Sequence, residues 1–187
     1  MKSFVFLYPI PEYFKAEIQR WGWRVGDGFK EKYSRMLNQC IDARNRQKGF
    51  EICYAIFDNH EISDIINLQQ SDRILLVGID FKTHIAHPPV YPDPDVLIAK
   101  LGNPLRVAGF HMWDCVQKVA QRAYKKGIDT LVDEDLTEFF AFKVGWRDSF
   151  AIDRYPSDDP RKRYEYASDF EFFMRARKEK PWLWQDY

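Results

Sequence analysis

A three-layer α/β/α fold built on a mostly parallel sheet is what the sequence predicts, and three observations predict it. Short apolar runs of strand length recur at residues 3–8, 50–57, 74–79, 105–110 and 128–132. Two amphipathic stripes of helical period lie among them, at 31–47 and 116–124. Strands that alternate with helices in this way are joined by crossovers, which places helices on both faces of a parallel sheet. At 187 residues the chain can form one such domain, burying roughly 70% of its unfolded surface without disulfide or metal staples.

The first run, 3–8, is aromatic and apolar and is closed by Pro9 and Pro11, as suits a buried strand ending at a turn. In the next element Tyr33, Met36, Leu37, Cys40 and Ile41 follow i, i+3, i+4, i+7, i+8 spacing, the single stripe of an amphipathic helix, and Gly49 supplies a stop. The runs 50–57 and 74–79 are nearly continuous apolar stretches ending at Asp58-Asn59 and Asp80, which predicts strands buried on both faces. The run 105–110 leads into a helix with the stripe Val116, Val119, Ala120, Ala123 and Tyr124, ended by Gly127. A fifth strand then closes at the acidic turn Asp133-Glu134-Asp135, for which solvation is the ordinary expectation.

Two segments stand outside this alternation. Residues 84–95 hold Pro88, Pro89, Pro92 and Pro94 and read as a stiff extended loop able to cover strand ends. From about 146 an extension mixes charges with aromatics, including Trp182 and Trp184, and reads either as packed on the domain or as a partner surface.

Composition narrows the function. With 28 Lys plus Arg against 28 Asp plus Glu, the chain lacks the cationic excess that gripping nucleic acid requires. Cys40, Cys53 and Cys115 fit no zinc or CxxC spacing and read as reduced thiols, which predicts a cytoplasmic protein. Pro9, Pro11 and Glu12 interrupt the N-terminal apolar run before a signal core or membrane span can form. No GxGxxG or GxxxxGK[ST] phosphate loop is present, and no cofactor is implied. His60, His84, His87 and His111 fall near strand ends or in the proline-rich loop, without helical spacing that would set two rings on one face, so no metal site is predicted.

Ligands of parallel α/β sheets sit at the carboxyl ends of the strands. Here that rule points to residues 8–12, 58–60, 80–84, 110–115 and 133–135 as the place for a small-molecule ligand.

The segment 107–135 resembles the isochorismatase-like cysteine hydrolases. Its strand ends in Gly109, Cys115-Val116 follows six residues later at the start of an Ala-rich helix, and Gly127, a strand and an acidic end complete the order. The resemblance implies a Rossmann-like, isochorismatase-like sheet, a nucleophile at Cys115, a cation at Lys82 and backbone N–H groups near 111–115 as an oxyanion hole. A thiolate at a helix N-terminus is favoured by the helix dipole and a nearby cation. The family's general acid/base is an Asp at the end of the first strand, and Pro9 occupies that position here, with Pro11 where the family has Gln. Proline neither gives nor takes a proton.

Two readings follow. One is a divergent relative without the family's hydrolase activity, acting as a binding or interaction module and forming homo-oligomers. The other is an active hydrolase of amide or ester bonds in which Glu12, Asp80 or Asp114 replaces the missing acid. Candidate catalytic residues are Cys115, Lys82 and Asp80, and candidate ligand contacts are His84, His111, Trp113 and Asp114.

Overall fold

In the computed structural model, which describes residues 1–146, 151–160 and 170–185, five parallel strands form one sheet in the order β3-β2-β1-β4-β5. They are β1 (Ser3–Leu7), β2 (Glu51–Asp58), β3 (Arg73–Asp80), β4 (Leu105–Gly109) and β5 (Thr130–Val132). β1 lies at the centre, in register with β2 from Ser3↔Glu51 and with β4 from Ser3↔Leu105. The layered, parallel architecture is the one the sequence predicts.

Alternation along the strands divides the core between two helical layers. Val5 and Leu7 of β1 face α4 (Pro94–Ile98) and α5 (Gln117–Lys125), where Leu97, Ile98, Val119, Ala120 and Ala123 are buried. Phe4 and Phe6 face the opposite layer of α1 (Pro11–Val25), α2 (Phe29–Arg44) and α6 (Phe139–Trp146), with Phe14, Tyr33, Leu37, Cys40 and Phe140. The inner strands β1, β2 and β4 present apolar side chains to both layers, so burial of this kind is the main favourable contribution to folding.

Four features differ from the sequence-based expectation, the last of them in the C-terminal extension. α1 follows β1 almost directly. Pro11 does not break the chain there but occupies the first helical position after Ile10, where its missing N–H costs nothing and its fixed φ suits the helix. The loop 84–95 is flanked by single-turn helices, α3 (Phe81–His84) and α4, each capped by an Asp: Asp80 accepts from the Thr83 amide at 2.8 Å and Asp93 from the Asp95 amide at 2.9 Å. β3 is an edge strand and is not buried on both faces. Leu75 and Val77 point into the core, while Ile74 and Leu76 are 48% and 52% exposed.

The C-terminal extension packs on the far edge of the sheet. After α7 (Phe170–Lys178) the chain turns so that Trp182 and Leu183 enter the core beside α5, and the Val132 amide of β5 donates to the Trp182 carbonyl at 2.8 Å. The acidic turn anchors this arrangement, correcting the expectation that it is solvated. Asp133, Glu134 and Asp135 are at most 4% exposed. Arg44 bridges Asp133 and Asp135, Lys143 joins Asp135 to Asp158, and Arg177 pairs with Glu134. Three buried carboxylates are tolerable because each meets a cation and further donors. No helix among the described residues is long and apolar enough to cross a membrane.

Candidate functional site

The carboxyl end of the sheet brings several of the predicted residues together. β4 ends at Gly109, whose φ of +147° and close packing leave no room for a side chain: a Cβ there would sit 2.9 Å from the Leu7 Cβ and 3.2 Å from a Val116 methyl. This tight passage delivers the chain into a single π-helical turn, Met112–Val116, that runs straight into α5 and carries Cys115. The thiol therefore has the address predicted for it, in the first turn of the helix. Its surroundings are another matter.

Cys115 is 4% exposed, and burial together with the neighbouring Asp114 carboxylate pushes its thiol up to about 12. The sulfur lies 3.9 Å from Asp114 Oδ2. Asp114 is a poor proton acceptor. Although partial burial opposes this, hydrogen bonds from Lys118 and from the Tyr91 hydroxyl, at 3.0 Å, hold its carboxyl below the usual carboxylate range. Tyr91 comes from the proline-rich segment, which does cover this end of the sheet.

The backbone donors are engaged as well. The Met112 amide donates to Glu138 Oε2 at 2.8 Å, and the amides of Asp114 and Val116 both donate to the His111 carbonyl, at 3.2 and 3.1 Å. The carboxylate of Glu138 thus stands at the start of this helix, where the resemblance implies an oxyanion. Sequence reasoning missed Glu138 because nothing in its local pattern links it to a turn 26 residues earlier.

Around the thiol the walls are aromatic. Tyr8, in the left-handed region at φ +59°, stacks on Phe57 at 4.4 Å and approaches His84 at 5.8 Å. Burial, reinforced by Cys115, raises its hydroxyl well above the ordinary tyrosine range. Tyr13 meets His111 at 5.2 Å and Phe81 at 5.6 Å. The His84 ring is buried, and its Nδ1 lies 3.0 Å from the Val90 carbonyl. Trp113 is half-buried, with Phe173 of α7 6.0 Å away and the Lys180 ammonium 5.8 Å from its ring. His111 is at the surface.

Lys82 and Asp80 sit on α3 and at its cap, both exposed, and Asp80 spends its oxygens on Thr83. Pro9, at the position where the resemblance implies an Asp, is buried, and its carbonyl accepts from the Ser63 amide. Glu12 lies 3.4 Å from the His60 Nε2. Among the described residues no group of three or more His, Cys, Asp or Glu side chains could hold a metal ion.

No protein-family model matches the chain, and no curated protein does. Solved structures similar to it include the MAR1 ribonuclease of Caenorhabditis elegans, 16% identical over 76% of this chain and 71% of that one, with a TM-score of 0.43. The pyrazinamidase of Pyrococcus horikoshii in complex with zinc is 12% identical over 77% and 96%, with a TM-score of 0.46. An isochorismatase family protein is 14% identical over 73% and 80%, with a TM-score of 0.41. At these levels of identity and superposition the likeness is one of chain course and does not extend to chemistry.

Proposed function

We propose that this chain is a divergent isochorismatase-like protein that acts by binding and does not run the cysteine hydrolase reaction. One observation carries the reading: the Cys115 thiol is buried, its nearest acidic neighbour raises its pKa further, and the Met112, Asp114 and Val116 amides of its own turn already have acceptors. A nucleophilic cysteine needs the reverse, an accessible thiolate stabilised by cations and free donors. The proline at position 9 points the same way, because it removes the proton carrier that the resemblance calls for. In place of a reaction chamber, Tyr8, Tyr13, Phe57, Phe81 and His84 pack ring against ring at the strand ends, and the half-buried Tyr13 and Phe81 are the members that offer a flat apolar surface to a ligand.

The interaction half of the proposal rests on β3. Its Ile74 and Leu76 form a half-exposed apolar strip on an edge strand, against whose backbone lies the charged Lys100, its ammonium donating to the Leu76 carbonyl at 3.2 Å. We assign this strip to self-association in a homo-oligomer. Sedimentation of the native protein against Leu76→Lys is expected to show a larger species in the native protein alone. A native monomer, or an unchanged oligomer in the variant, rejects the assignment.

Alkylation separates binding from hydrolysis. Native protein treated with iodoacetamide between pH 5 and 9, with the modified peptide located by mass and Cys115→Ala as control, is expected to leave Cys115 unmodified until the protein unfolds. Rapid modification with an apparent pKa well below about 8.5 overturns the proposal in favour of an activated nucleophile.

A further inference from the structure

At the opposite end of the sheet from Cys115 there is a cleft. It opens beneath the C-terminal end of α2, beside the starts of β2 and β4, with the segment 151–155 along one side, and it encloses about 250 Å3. Its chemistry comes from Asn45, Lys48, Phe50 and Arg106, with the Arg44–Asp133 pair as one wall.

Asn45 is the telling residue. It is 3% exposed, and its backbone is fully used: its amide donates to Ile41, and its carbonyl accepts from Lys48 and Phe50. Asn45 lines the cleft, and its side-chain Nδ2, buried at the cleft wall, has no hydrogen-bond partner among the described residues. A buried orphan donor costs about 1–3 kcal/mol and calls for an explanation in a folded protein.

The cations beside it face the same way. Lys48 gives one hydrogen bond to the Asp153 carbonyl at 3.1 Å, which leaves two of its three donors. Arg106 makes one bond, to its neighbour's carbonyl at 3.1 Å, and its nearest carboxylate, Asp129, is 3.6 Å away with a side chain 66% exposed. The Arg106 guanidinium rests 5.7 Å from the centre of the Phe50 ring, which fixes it at the cleft's rim. Arg44 is offset by Asp133 and Asp135 and Arg106 in part by the exposed Asp129, so Lys48 carries the unmatched positive charge here and donors remain to spare.

We propose that this cleft binds a small molecule through an oxyanionic group, a carboxylate or a phosphate, held by Asn45 Nδ2, Lys48 and Arg106. Phe50 and Leu131 offer apolar contact to the rest of the ligand. The volume lies below the roughly 300–1,000 Å3 of sites for drug-sized ligands, which restricts the occupant to the size of a small metabolite. The site is independent of Cys115: it occupies the other end of β4, and its occupancy does not depend on whether the thiol reacts.

The test uses the full chain in chloride buffer of constant ionic strength, titrated separately with inorganic phosphate, acetate and benzoate. The side-chain amide resonances of Asn45, assigned by their loss in Asn45→Ala, are the readout. A saturable shift with phosphate identifies a phosphate site, and one with acetate or benzoate a carboxylate site. Either supports the proposal if Arg106→Gln, or the exposed-position variant Lys48→Gln, weakens the Kd about tenfold, the loss expected for one charge-assisted hydrogen bond. Asn45→Ala is expected to abolish the ligand-induced rise in Tm while leaving the ligand-free Tm equal or higher, because it deletes an unpaired donor. No saturable shift with any of the three anions, a shift indifferent to both charge variants, or a ligand-free Tm lowered by Asn45→Ala overturns it.

Discussion

Glu134 and Arg177 lie 43 residues apart and meet as an ion pair in which neither side chain has exposed surface. Arg177 also donates to the Trp184 carbonyl at 2.9 Å, and Glu134 accepts from the Tyr155 hydroxyl at 2.6 Å, so one contact joins β5 to both described parts of the C-terminal extension. Replacing Arg177 with Met strands a charged carboxylate in the interior and is expected to cost about 3–5 kcal/mol in urea unfolding. The double variant Glu134→Met/Arg177→Met should recover most of that loss, because desolvation of the pair offsets much of its attraction. A double variant no better than the single one would show that the pair itself, and not the stranded charge, dominates.

Gly109→Ala tests the passage from β4 into the cysteine turn. The new methyl would meet Leu7 at 2.9 Å and Val116 at 3.2 Å, and a φ of +147° is rarely adopted by an L side chain. Both overpacking and backbone strain contribute, each about 1–3 kcal/mol. The expected result is a loss of more than 2 kcal/mol in denaturant unfolding. Ala at position 127, where the backbone is also left-handed but nothing lies within 4 Å, should cost less.

Asp114 keeps Cys115 protonated, after burial itself. Asp114→Asn removes that negative charge 3.9 Å from the sulfur, so the thiol pKa should fall and the folded variant should show measurable alkylation of Cys115 at pH 9, where the native protein shows none. Far-ultraviolet circular dichroism of the variant guards against an unfolding artefact. An unchanged rate would assign the thiol's inertness to burial alone.

A pH effect is built into the contact between α4 and α5. Arg122 reaches Asp95 with two hydrogen bonds, at 2.7 and 2.5 Å, and these, with help from Lys126, hold the Asp95 carboxyl well below its ordinary value. The folded pKa is the lower one, so the unfolded chain takes up a proton first as acid is added. The stabilisation is therefore fully present above about pH 3.9 and is lost as pH falls through the folded value. Thermal unfolding of native protein and Arg122→Gln between pH 2 and 6 should show a gap in Tm that is widest at the upper end and closes in acid. A gap independent of pH would mean that Arg122 acts through packing.

The fold was legible wherever local pattern and final position agree. Continuous apolar runs marked β1, β2 and β4 because those strands really are covered on both faces. The run at β3 looks the same in sequence, yet its place at the sheet edge leaves Ile74 and Leu76 in water. Strand order decides that, and no local pattern encodes it. α1 hid behind Pro9 and Pro11, since a proline that ends a strand and one that starts a helix look alike until the next turn is known. In the candidate site the address of Cys115 was readable from Gly109 and the helix stripe. Its condition was not, because Glu138, Tyr91 and Tyr8, which surround its turn, arrive from three other parts of the chain. The acidic turn misled for the same reason: Arg44, Lys143 and Arg177 reach it from 89, 8 and 43 residues away.

The hydrogen bond from Val132 to the Trp182 carbonyl has a consequence for assembly. By laying its own C-terminal segment along β5, the chain blocks that border of the sheet and leaves β3 as the only open one among the described residues. In the self-association proposed above, a single available border would match another copy only once, so growth by sheet extension would terminate at a closed twofold pair and not continue into a fibre.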